Sequence, residues 1–248
     1  MASKIIDFFH IITLKLKNKA NKLSANSMRV TEVDEIQKFI NEVNNPFLIS
    51  FPRTGSHWLR MMMELYFEQP SLVRVFYYKD RKNYLTYHTH DLDFSVYRKN
   101  VIYLYRNPAP TIYSQMMYNK ENLYDIKRVQ YWTRQYGKHL KKWLIDEQVS
   151  QHKTILKYEN LVNDIDSEFL KLANHFGYSL NPAKLQQVVQ QVSSKEVKKK
   201  TQHDRQVISK NDSYNNSRRE FISQNQELID TLILETDPKL SDFLECRK

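Results

Sequence analysis

The twelve residues Phe47-Leu-Ile-Ser-Phe-Pro-Arg-Thr-Gly-Ser-His-Trp58 leave the chain few ways to fold. Phe47 to Phe51 are mostly bulky and apolar, as in a strand buried on both faces of a parallel sheet. Pro52 has no N–H to give to a ladder, so the strand ends there. Gly55 admits backbone conformations closed to other residues, and Ser56 stands where it can cap a helix. Strand end, sharp turn and helix start gather backbone N–H groups at one corner, and Arg53 adds fixed positive charge beside them. Such a corner holds a phosphate or a sulfate. It is not a Walker A loop, which needs Gly-x-x-x-x-Gly-Lys-Ser/Thr, because this segment has one Gly and no Lys.

The remaining pattern alternates helices and strands around that corner. Thr31 to Val43 reads as a helix capped by Thr31, with Val33, Ile36, Phe39 and Ile40 inward. Asn44-Asn45-Pro46 is turn punctuation before the first strand. The helix after the corner runs from Ser56 to about Gln69, and its Leu59, Met62, Met63, Tyr66 and Phe67 read as core. Leu72 to Tyr78 and Tyr84 to Thr89 are candidate strands. Val101 to Tyr105 is a buried strand, and Pro108 suits the first turn of a helix over Ala109 to Asn119. A long helix over Asp125 to Gln148, a strand over Thr154 to Lys157 and helices over Ser167–Phe176, Pro182–Val192 and Glu220–Leu234 complete the chain. Strands separated by helices indicate a parallel α/β sheet with its ligands at the carboxyl ends of the strands. Arg53, His90, Arg106 and Tyr158 all follow expected strands, so this geometry gathers them on one edge.

Composition narrows the partners. With 248 residues, 41% of them hydrophobic, the chain can bury one substantial core. We expect a single domain over residues 29–248, preceded by residues 1–28 as an amphipathic helix and linker. A net charge of +10 points to anionic partners such as nucleotides, nucleic acid, acidic lipids or acidic glycans, or else to simple solubility, and no nucleic-acid partner is expected. Cys246 is the single cysteine, which leaves no intramolecular disulfide and no cysteine zinc site, and favours a reducing, cytoplasmic setting. No apolar run approaches the roughly 18 residues of a membrane span. Ile5, Phe8, Phe9, Ile12 and Leu16 fall on one helical face with lysines around them. Packing on the domain or a partner is the first reading of residues 5–16, and peripheral membrane contact the second. His88 and His90, at alternate strand positions, share a face and are capable of ligating a metal, but lack a third ligand.

Four strings resemble the sulfotransferase family. Pro52 to Trp58 resembles its 5′-phosphosulfate loop: Pro, a basic residue, Ser or Thr, Gly, two small or polar residues, Trp. Thr89-His90 matches the end of the Lys-Thr-His-like string that carries the family's catalytic histidine, with His88 at the Lys position. Val101 to Ser114 resembles the second signature, in which a strand-end Arg and a helical Ser bind the donor's 3′-phosphate. Here these are Arg106 and Ser114. Tyr158-Glu159 matches a strand-end Tyr-Glu whose Tyr approaches the donor.

The resemblance implies a P-loop-nucleotide-hydrolase-like sulfotransferase fold with a helical C-terminal part. It implies 3′-phosphoadenosine-5′-phosphosulfate as donor, 3′,5′-bisphosphoadenosine as product, and no metal. His90 would be the base and Arg53 would neutralise the leaving oxygen. Thr54, Gly55, Ser56, His57 and Trp58 would hold the 5′-phosphate side, with Trp58 either near the adenine or in the core. Two positions depart from the pattern: Arg53 replaces Lys, and His57 replaces a frequent Thr. Ser193 to Lys200 faintly resembles an adenine-contacting segment, and the family's Arg-Lys-Gly and Gly-Asp-Trp-Lys stretches have no counterpart. Arg218 and Arg219 read first as a solvated charge run and second as their substitutes. The acceptor stays open, with a carbohydrate or lipid-linked hydroxyl suggested by the short span between Gln69 and His90. Tyr77, Tyr78, Tyr84 and Tyr87 are either sugar platforms there or strand packing. Two other classes compete: a nucleotide kinase or hydrolase with an atypical phosphate loop, and a basic module for nucleic acid or lipid.

Overall fold

The computed structural model describes residues 28–201 and 212–244. The expected helix at residues 5–16, the linker after it and Cys246 lie outside the described residues.

The parallel sheet is present. Its four strands are β2 (Phe47–Ser50), β4 (Tyr87–Thr89), β5 (Asn100–Tyr105) and β6 (His152–Lys157), in the order β4-β2-β5-β6. All three pairings are parallel, with Phe47 opposite both Tyr87 and Val101 and Asn100 opposite His152. Side chains alternate across it, as a pleated strand requires. Phe47, Ile49, Val101, Tyr103 and Tyr105 face one buried cluster, while Leu48, Ile102, Leu104 and Leu156 face the other.

Helices cover both faces. The first cluster is closed by α3 (Pro108–Asn119), α4 (Ile126–Leu140) and the long α9 (Asp212–Thr236). The second is closed by α2 (Ser56–Phe67), α6 (Ile165–His175), α7 (Pro182–Gln191) and α8 (Ser194–Thr201), with α5 (Tyr158–Asn163) directly after β6. Gly137 lets α9 approach α4: a Cβ there would lie 2.6 Å from Thr236 Oγ1. Among the described residues no helix is long and apolar enough to cross a membrane.

Several boundaries differ from expectation. α1 is Val33–Asn41, and Thr31 does not cap it; the N-cap is Glu32, whose carboxylate instead accepts the Thr31 N–H at 3.1 Å. The expected strand over Leu72 to Tyr78 shrinks to β3 (Arg74–Val75), antiparallel to β1 (Met28–Arg29). The reason lies in α2. Buried Glu64 accepts the N–H groups of Phe76, Tyr77 and Tyr78 at 2.7–3.2 Å, taking the donors a ladder would use. The long helix after Asp125 stops being α-helical at Leu140 and continues as a π turn, Lys141–Ile145. The final helix starts at Asp212, about two α-turns before Glu220.

Candidate active site

The turn between β2 and α2 is left-handed at Arg53 (φ 73°) and again at Gly55 (φ 98°), with Thr54 between them donating to Phe51 O at 2.9 Å. Alternating handedness turns successive N–H groups to one side and makes a concave nest for an anion. Gly55, not Ser56, is the N-cap of α2, and no side chain caps it. Ser56 is the first helical residue and is buried. A glycine cap at positive φ turns the chain without needing a hydroxyl, and the first N–H groups of α2 open onto the nest.

Arg53 donates through Nε to Ser114 Oγ at 3.2 Å, and its guanidinium lies 5.3 Å above the Tyr118 ring. Ser114, paired with Arg106 by the resemblance, also meets Arg53. Arg106 lies 4.3 Å above the Tyr158 ring and 3.7 Å from the Glu159 carboxylate. Its backbone is clamped by Tyr136, whose hydroxyl accepts the Arg106 N–H at 3.0 Å and donates to Arg106 O at 2.6 Å. Glu159 also accepts the Asn107 N–H. Tyr158 joins the two halves: its ring is 2.6 Å from the place a Gly55 Cβ would take, and Trp58 meets it edge-on at 6.0 Å. Trp58 is also half-buried against the second core cluster.

Arg218 is not a solvated charge. It is half-buried on α9, and burial together with the charge of Arg106 holds its pKa below the ordinary arginine value. Both arginines therefore bring positive charge to one locus. With Asn215, Arg219 and Ile222 it lines an open surface pocket.

His90 is the first residue after β4. Its Nδ1 lies 2.6 Å from Ser50 O. A carbonyl only accepts, so Nδ1 carries the hydrogen and Nε2 is the basic nitrogen. His88 Nε2 meets Ser50 Oγ at 3.0 Å, and the two imidazoles stand edge-on at 5.0 Å. One residue at the end of β2 thus engages both. The loop beyond is tied by the buried pair Arg98–Asp91 at 2.9 Å. Among the described residues no group of three or more His, Cys, Asp or Glu side chains could hold a metal.

His57 meets Arg74 and Phe76: its Nε2 lies 3.2 Å from Arg74 Nη1, and its ring meets Phe76 edge-on at 6.1 Å. Burial, then the charges of Arg74, Arg60, Arg53 and His90, hold its pKa well below the usual value. The four tyrosines proposed as platforms are engaged in packing. Tyr87 is buried, Tyr84 donates to Glu35, and Tyr78 and Tyr77 lie beneath Arg81 and Lys200.

Pattern reading missed Ser50, Tyr136 and His139. His139 Nε2 lies 2.8 Å from His90 O, yet with Tyr136 and Trp143 it forms one helical stripe that reads as core. Burial lowers its pKa from 6.5 to about 3. A histidine held neutral makes the fold weaker in acid, because the unfolded chain gains a proton below about pH 6.5 that the folded chain refuses. Stability is full above that pH and declines as pH falls toward 3. We expect denaturant unfolding to show a loss of about 2 kcal/mol from this group between pH 7 and pH 5. His139→Gln should flatten the slope by that amount; an unchanged slope would contradict the assignment.

A family model described as the sulfotransferase domain matches residues 44–227. No curated protein matches the chain by sequence. The solved structure of retinol dehydratase in complex with retinol and PAP aligns with a TM-score of 0.54 and 12% identity, over 87% of this chain and 88% of that one. Retinol dehydratase in complex with androsterone and inactive cofactor PAP aligns with a TM-score of 0.53 and 11% identity, over 86% and 87%. At these identities the likeness is one of fold.

Proposed function

The chain belongs to the sulfotransferase domain family, and on that premise we propose that it moves a sulfuryl group from 3′-phosphoadenosine-5′-phosphosulfate to an acceptor hydroxyl or amine, leaving 3′,5′-bisphosphoadenosine. The observation that carries the reading is that Tyr158 lies both under Arg106 and against Gly55, so cationic groups gather at two strand ends around one ring. Arg53 with the α2 N-terminus is assigned to one phosphate, and Arg106 with Arg218 to the other. A doubly phosphorylated nucleotide matches two such cationic groups held around one ring.

The donor supplies an activated sulfuryl group whose leaving atom is a phosphate oxygen. The first N–H groups of α2, with the Thr54–Trp58 backbone, hold the 5′-phosphate. Arg53 neutralises charge growing on the leaving oxygen, and its contact with Ser114 keeps the guanidinium over the nest. Arg106 and Arg218 bind the 3′-phosphate, with Glu159 and Tyr136 holding Arg106 in place. His90 Nε2 accepts the acceptor's proton as the nucleophile attacks sulfur in line. Trp58 and Tyr158 offer an aromatic wall. No step needs His57.

For the acceptor, we favour a carbohydrate or lipid-linked hydroxyl. Tyr118, the ring beneath Arg53, is 37% exposed, and Tyr97, in the loop after His90, is 51% exposed. Exposed rings, Tyr118 beneath Arg53 and Tyr97 on the chain after His90, suit sugar faces better than a closed pocket for a small phenol. Labelled-donor transfer onto a panel of glycans, glycolipids and phenols checks this. We expect transfer to a glycan or glycolipid without magnesium, inhibited by 3′,5′-bisphosphoadenosine. Transfer to phenols alone would overturn the acceptor class. No transfer, together with no thermal stabilisation by bisphosphoadenosine, would overturn the donor.

A further inference from the structure

We propose that His139 is a positioning residue for the transfer, fixing the His90 backbone carbonyl and through it the aim of the His90 imidazole. The inference rests on the reading of His90 as base.

His139 is fully buried in the last turn of α4. Its ring is surrounded by Phe51 at 5.5 Å, Tyr103 at 5.4 Å, Phe94 at 6.4 Å and Trp143 at 6.5 Å. Two polar contacts cross this apolar setting. Nε2 meets His90 O at 2.8 Å, and Nδ1 meets the Tyr103 hydroxyl at 2.9 Å. A carbonyl cannot donate, so Nε2 carries the hydrogen. In a neutral ring Nδ1 then accepts, and the Tyr103 O–H donates to it. The tautomer is thereby set from both sides.

What this achieves follows from where His90 sits. β4 is an edge strand of three residues, and its pairing to β2 ends with Ile49 opposite Thr89. The ladder stops one residue short of the base. Beyond it the chain has no regular structure until β5. The carbonyl of His90 is instead tied to α4 through His139, while its ring is tied to β2 through Nδ1 and Ser50 O at 2.6 Å. With backbone and ring each anchored to a different rigid element, Nε2 keeps one direction. Misplacing a base by about 1 Å costs on the order of 100-fold in rate, so the tie has kinetic weight.

The test is a series at position 139, run beside His90→Ala. His139→Leu keeps the volume and removes the donor. His139→Gln restores an N–H near the Nε2 position. We expect His139→Leu to lose about 100-fold in kcat while its Kd for 3′,5′-bisphosphoadenosine stays within about twofold, and His139→Gln to regain most of the loss. A merely structural residue would move stability and ligand affinity together and would not be rescued by Gln. A folded His139→Leu enzyme with kcat within about threefold of the parent overturns the proposal, as does a Gln variant no better than Leu at equal Kd and Tm. If His139→Leu fails to fold, Tyr103→Phe removes only the hydroxyl that sets the tautomer. It should lower kcat about fivefold at unchanged Kd, and a parental kcat there overturns the proposal. Retained turnover in His90→Ala would overturn the reading of the base itself. Loss there with no effect at position 139 would overturn only the role of His139.

Discussion

Sulfate transfer is expected to vanish in His90→Ala while 3′,5′-bisphosphoadenosine still binds. The imidazole's Nδ1–H is committed to Ser50 O at 2.6 Å, which leaves Nε2 as its basic nitrogen. The donor pockets are built from other elements: the β2–α2 turn, the ends of β5 and β6, and α9. Removing the ring therefore takes away proton acceptance and little of the nucleotide site. A positioned base contributes about 10²–10⁴-fold, so kcat should fall by that range with the product Kd nearly unchanged. Single-turnover transfer beside calorimetric titration of the product reads both quantities. Turnover within an order of magnitude of the parent would remove His90 from the role.

Gly55→Ala should have the second large effect, this time on binding. Its φ of 98° is strained for any L side chain, at about 1–2 kcal/mol. An added Cβ would also meet Tyr158 Cε2 at 2.6 Å and Cδ2 at 2.7 Å. That ring cannot simply withdraw, since Arg106 lies over it at 4.3 Å and Trp58 meets its edge. Relief must come from moving β6's end or the loop, and either change separates the two anion pockets. Combined strain of about 3 kcal/mol or more corresponds to a loss of 100-fold or greater in product affinity. Gly177→Ala is the control. It shares a positive φ of 73° but has open space around it, so it should weaken the fold slightly and leave binding intact. If Gly55→Ala binds the product as well as Gly177→Ala does, the close approach of Tyr158 has no bearing on the site.

Short-range chemistry made much of the site legible. The turn from Pro52 to Trp58 needed only an apolar run, a Pro and one Gly, and the end of β5 needed only Arg106-Asn-Pro108. Parallel topology followed from the alternation of elements and placed Arg53, His90, Arg106 and Tyr158 at one edge, where they are found. Errors arose where a side chain distant in sequence captured backbone groups. Glu64 dissolved most of the strand at Leu72–Tyr78 by taking three N–H groups from a helix 12–14 residues earlier. Arg218 read as a solvated charge because its neighbours in sequence are polar, whereas its neighbours in space are Arg106 and Glu159.

By itself, then, the amino-acid sequence determined the parallel sheet and the residue types at each strand end, because these depend on hydrophobic period and on the local φ limits of Pro and Gly. Tertiary structure alone decided which atoms meet. Ser114 reaches Arg53 across 61 residues, Tyr136 clamps Arg106 across 30, and His139 holds His90 across 49. Such pairings follow from how two helices and a sheet pack, at distances where a shift of about one ångström decides whether a hydrogen bond exists. No pattern along the chain encodes that.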